Sequence, residues 1–127
     1  MSTYPRDMVN TVSTQVSKYP VAITSTTNGT GLDMVETYGL CTAYQLVSTV
    51  SGTSPTLDGK IQESDDNSTF TDISGATFTQ VTASSNLQII SFQRTKRYVR
   101  WSGTIAGTSP SFIVGALIQA GEVVAYS

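Results

Sequence analysis

The sequence predicts an all-β fold: a two-sheet antiparallel β-sandwich, jelly-roll or immunoglobulin-like, with an N-terminal arm. Three observations carry that expectation. Apolar residues nowhere recur at i, i+3, i+4 and i+7 over successive helical turns. Period-two alternation recurs instead, broken by Gly, Pro, Asn and Ser. The alternating stretches number about eight or nine and lie roughly ten residues apart, the spacing of sandwiches and barrels.

The elements follow in order. Val12 and Val16, in a Ser/Thr-rich stretch, read as a weak edge-like strand. The next, from Val21, follows Tyr19-Pro20 and runs into Asn28-Gly29, a strong turn dipeptide. Tyr44, Leu46, Ser48 and Val50 line one face of a strand that stops at Ser51-Gly-Thr-Ser-Pro55. Leu57, Gly59, Ile61 and Glu63 alternate through the following one, which ends at Ser64-Asp-Asp-Asn-Ser68. Phe70 to Ile73 and Phe78 to Val81 read as short strands around Ser74-Gly75, and Leu87 to Phe92 as another.

Val99, Trp101, Gly103 and Ile105 then alternate before a turn at Gly107-Thr-Ser-Pro110. Phe112, Val114, Ala116 and Ile118 form the most apolar strand, with Ile113 and Leu117 on its other side. An element apolar on both faces is central or covered by a partner. Val123 to Tyr126 adds a last edge strand. Residues 1–10 lack alternation and read as the arm; residues 11–127 form a single domain with no repeat of solenoid length.

Composition narrows the chemistry. The 127 residues carry a net charge of -2, and only 13% are charged, so hydroxyls supply most of the polarity. A pI of 4.8 argues against a strongly basic nucleic-acid-binding body. The longest apolar run, Phe112 to Ile118, is far short of the about 20 residues of a membrane span. No secretory signal is visible. Nucleic acid and membrane are therefore not expected partners.

There is no histidine, which removes Ser-His and Cys-His pairs and His-ligated zinc. The single cysteine, Cys41, forms no intrachain disulfide and reads as a small buried residue. No catalytic constellation stands out, and an enzyme is not expected.

Two charged clusters need weighing. Asp65, Asn67, Thr69 and Thr71 alternate like calcium ligands, but Phe70 and Ala76 stand where an EF-hand needs Gly and Glu. A solvated hairpin tip is the better reading, and no metal or cofactor is expected. Arg94, Lys96, Arg97 and Arg100 hold four of the seven positive charges, interleaved with Tyr98 and Trp101. Such a pattern can grip phosphates and bases. In a net negative chain it reads better as a charged turn, with Trp101 in the core and Arg100 balancing nearby acids. Two Asn-x-Thr sequons, at Asn28 and Asn67, are about what chance supplies at this hydroxyl content.

The stretch Leu57 to Ile73, with Gln62-Glu-Ser-Asp-Asp66 and Thr69-Phe-Thr-Asp72, is followed by Lys96-Arg-Tyr-Val-Arg100. With Gly31-Leu-Asp33 and Tyr38-Gly39 upstream, this resembles the small capsid cement or decoration proteins of tailed bacteriophages. The similarity spans roughly residues 30 to 120. It implies a non-enzymatic virion protein on the capsid surface, assembled in the host cytoplasm. It also implies binding to the major capsid protein as a homodimer or homotrimer. The arm, through Tyr4, Arg6 and Met8, and the turn at Arg94, Lys96 and Arg97 are the capsid-contact candidates. The same turn and strand also resemble discoidin-like carbohydrate-binding jelly rolls. That alternative needs exposed aromatics, for which Tyr4, Tyr38, Tyr44 and Tyr126 are candidates.

Overall fold

A computed structural model describes residues 12–35 and 37–122, and every element in it is a β-strand. These are β1 (Val12–Ile23), β2 (Thr27–Asn28), β3 (Leu32–Asp33), β4 (Thr37–Ser64), β5 (Thr71–Thr77), β6 (Asn86–Gln93) and β7 (Tyr98–Glu122). The arm and the expected strand from Val123 to Tyr126 lie outside the described residues.

All pairings are antiparallel, as expected, but hydrogen bonding is continuous through one seven-stranded sheet rather than divided between two. β7 is central, with β4 along one side and β1, β2 and β3 successively along the other. β6 and β5 flank the first and second parts of β4. The chain therefore makes four long antiparallel runs, 12–33, 98–122, 37–64 and 71–93 in spatial order.

Each run bends midway, so the sheet folds back on itself as two facing layers. Gln45 in one layer touches Gly59 and Trp101 in the other. We term the β6–β4–β7–β1 part the first layer, and the part holding β5, β2 and β3 the second.

The bend is where the sequence reading placed strand ends. Ser51 to Pro55 and Gly107 to Pro110 are corners inside continuous strands, and Gly-Thr-Ser-Pro occupies both. The two corners face each other in one ladder, between the pairs Val50↔Phe112 and Leu57↔Ile105. Gly52 and Gly107 take φ of 112° and 120°, and Ser54 and Ser109 take 49° and 48°. A side chain at Gly52 would sit 2.7 Å from Ser109 O, and one at Gly107 2.7 Å from Ser54 O. The corner is thus a local pseudo-two-fold, and glycine is required twice for the same steric reason.

Three finer expectations also change. Pro20 does not divide two strands, because β1 absorbs it at register shifts between Val16 and Val21. β5 runs through Ser74-Gly75, while Phe78 to Val81 is no strand but a single bridge, Leu57↔Val81. A register shift after Val47 turns Val50 inward, off the face that holds Tyr44, Leu46 and Ser48.

The core lies between the layers. Leu57, Ile61, Val99, Trp101, Phe112, Val114 and Ile118 are buried there, together with Val47, Met34 and Cys41. Burial pushes the Cys41 thiol up, away from the reactive thiolate.

Candidate interaction surfaces

Two surfaces stand out, one end of the molecule and one sheet face. The end opposite the corner gathers the turns 33–37, 64–71 and 93–98, together with the start of β1 at Val12. The acidic and basic clusters of the sequence meet here, and side chains from both fasten the turns.

Asp66 Oδ1 accepts the amides of Ser68 and Thr69 and the Ser64 hydroxyl, all within 3.0 Å, which closes the hairpin tip. Those bonds hold the Asp66 carboxyl below its ordinary value. Among the described residues no cluster could hold a metal ion.

The basic turn divides three ways. Arg94 points inward: its Nη2 donates to the Met34 and Thr37 carbonyls at 2.6 Å each, and its Nη1 to Lys96 O at 2.9 Å. It ties the two turns of this end together. Buried Glu63 does the same from below, accepting from the amide of Thr95 at 2.8 Å and from its hydroxyl at 3.0 Å. Lys96 Nζ lies 3.9 Å from Asp65. Arg97 forks onto Asp33 at 2.9 and 2.7 Å, a bond that holds the Asp33 carboxyl down at about 2.

Among the described residues Arg100 pairs with no acid. It bonds Gln62 Oε1 and lies 4.0 Å over the Phe70 ring. Trp101 is core, as expected. Of the expected contact residues, Arg94, Lys96 and Arg97 thus share the end at which β1 begins, while Tyr4, Arg6 and Met8 lie outside the described residues. Of the aromatics proposed for sugar binding, Tyr38 and Tyr44 lie on β4 rather than in a loop, and Tyr44 Oη donates to Gln119, while Tyr4 and Tyr126 lie outside the described residues.

The second surface is the outer face of the first layer. Strand alternation places Leu87, Leu46 and Gly115 in one row, beside Pro20 of the bulge. The next row holds Ile89, Tyr44, Leu117 and Val16. A third is polar, with Ser91, Thr42, Gln119 and Thr14, and Gln119 donates to Thr14 at 3.1 Å. Leu46, Leu87 and Ile89 are 51%, 59% and 56% exposed. Gly115 leaves an apolar slot walled by Leu46, Tyr44 and Pro20. Sequence reasoning put Tyr44 and Leu46 on one face but did not see that this face looks outward. The inward face of the same strand carries Gln45, which obscures the signal.

The fold defines a class, an antiparallel folded-over β-sheet that other solved structures share. The exported protein XepA of PBSX aligns over 91% of this chain and 38% of its own length, with TM-score 0.58 and 19% identity. A structure of infectious bursal disease virus, Gx strain, aligns over 91% of this chain and 37% of that one, at TM-score 0.51 and 13% identity. The chain spans well under half the length of both. The SPBc2 prophage-derived protein YomS aligns at TM-score 0.49 with 13% identity, over 86% and 95% of the two chains. No family and no curated protein matches the sequence.

Proposed function

We propose that the chain is a non-enzymatic structural protein of bacteriophage particles, a cement or decoration protein that binds the outside of the major capsid protein shell and stabilises it. One observation carries the reading. The start of β1, which the arm precedes, and the Arg94–Arg97 turn lie at one end of the described residues, so one partner can reach both that end and the turn. The likeness in fold to a phage exported protein and to a viral structure supports the same reading at the level of fold.

The arm, helped by the Arg94–Arg97 turn, supplies much of the grip, because a segment that orders on its partner covers a wide footprint. Lys96 and Arg97 steer the approach, while Arg94 shapes the turn. The site of action is the virion surface, after assembly in the host cytoplasm. No cofactor, nucleic acid or membrane takes part.

The test is occupancy on purified undecorated capsids of the phage that encodes the chain. Deleting residues 2–9 leaves the thermal midpoint unchanged and sharply reduces occupancy. Full occupancy by the truncated protein overturns the arm's role, and no occupancy by the intact protein overturns the function.

A further inference from the structure

The outer faces of the two layers differ in kind. The second layer shows solvent Asp58, Lys60, Gln62, Asp72 and Arg100, linked by Lys60–Asp72 and Arg100–Gln62 bonds. This is how a sheet face meets water. On the first layer two adjacent rows, four strands wide, are apolar, and the nearest cation, Lys18, turns its Nζ to Tyr19 O at 3.0 Å. Neither row holds a carboxylate. A contiguous patch of that kind marks an interaction site.

We infer that this face joins two copies of the chain, packed sheet against sheet. Size is the first argument. The face as a whole, the polar third row included, spans four strands at about 4.8 Å and about seven residues at about 3.4 Å, roughly 450 Å² in projection. Two such faces remove about 900 Å², and side-chain relief carries the sum past the roughly 1,000 Å² a stable interface needs.

Shape is the second argument. The face holds its own knob and its own hole, protruding Leu46 and the slot over Gly115. They sit opposite each other on neighbouring strands, Leu46↔Gly115. A two-fold axis along the strands, between β4 and β7, places Leu46 of each copy over the other's slot. The same axis sets Leu87 and Ile89 of β6 above β1, so the contact closes as a dimer. Charge is the third: the two apolar rows hold no charged side chain, and Lys18 at their edge turns its Nζ back to Tyr19 O, so no like charges meet within the rows.

The inference rests on the isolated chain and not on capsid binding. Sedimentation equilibrium of the full chain at micromolar concentration is the experiment, with far-ultraviolet circular dichroism to confirm folding. The wild type sediments as a dimer. Leu46→Lys, at a half-exposed position, stays folded and weakens association at least about a hundredfold. Gly115→Leu, which fills the slot, does the same, whereas Gln62→Lys on the polar face leaves the dimer intact. A monomeric wild type, or dimers that survive both Leu46→Lys and Gly115→Leu, overturns the inference. Capsid occupancy of the folded Leu46→Lys monomer then reports on the proposed function separately.

Discussion

Trp101 and Gln45 join the two layers through a buried side-chain hydrogen bond: the indole Nε1 donates to the amide Oε1 at 2.8 Å. Both side chains are fully buried, and the amide's Nε2 has no partner among the described residues. Removing the donor leaves a whole amide unpaired in the core. Trp101→Phe therefore destabilises beyond its loss of volume, and Trp101→Ala by about 3–5 kcal/mol. Urea unfolding followed by circular dichroism measures both.

Gly59 belongs to the same contact. A β-carbon there collides with Gln45 Oε1 and approaches Trp101 Nε1 at 2.9 Å. Gly59→Ala should cost about 1–3 kcal/mol. The cost should shrink when Gln45 is shortened to Ser, so a double-mutant cycle in urea shows coupling between the two positions.

The corners give a paired prediction. Gly52→Ala and Gly107→Ala each force a side chain into positive φ against a facing carbonyl, and the near-symmetry makes their costs alike. Gly75 also has positive φ, at 80°, yet nothing lies within 4 Å of its would-be β-carbon. Gly75→Ala should thus lower the thermal midpoint clearly less than either corner variant.

Acid should loosen the end opposite the corner. The Asp33 carboxyl is held near 2 by Arg97, below its ordinary 3.8, so it binds its proton less readily when folded. Its contribution is present above about 4 and lost as pH falls through about 2. Asp66 and Asp72 are shifted the same way. Thermal midpoints should drop over that window, and Asp33→Asn should lie below wild type at neutral pH and converge with it near pH 2.

Arg94 and Lys96 separate structural from surface roles within one turn. Arg94→Ala abandons the Met34 and Thr37 carbonyls and should lower the thermal midpoint by several degrees. Lys96→Ala, whose nearest acid is 3.9 Å away, should leave it unchanged. Differential scanning calorimetry distinguishes them.

Much of this fold was legible in one dimension. Phe112, Val114, Ala116 and Ile118 point inward, and Leu57, Gly59 and Ile61 do too, because alternation is a local property of the strand. The corners were not legible: Gly and Pro mark a change of direction, and a bend inside a strand uses the same residues as a turn that ends one. Arg94 was visible as a charge but not as a donor to carbonyls 57 and 60 residues away, since alternation does not encode long-range partners. The outward turn of Leu46 and Ile89 was hidden for a similar reason, because both faces of β4 and β6 carry apolar residues.

The paired Gly-Thr-Ser-Pro corners also bear on how the chain folds. β4 and β7 pair along their whole length, through register shifts at the corner and beyond it, and the shortest loop closes at Ser64↔Tyr98 and the longest at Thr37↔Glu122. Closure entropy rises with loop length, so pairing begins in the second layer and zips outward through the bend. The first layer, with its apolar outer face, then assembles last. Until the bend forms, the inward side chains of its strands lack the facing layer they are buried against.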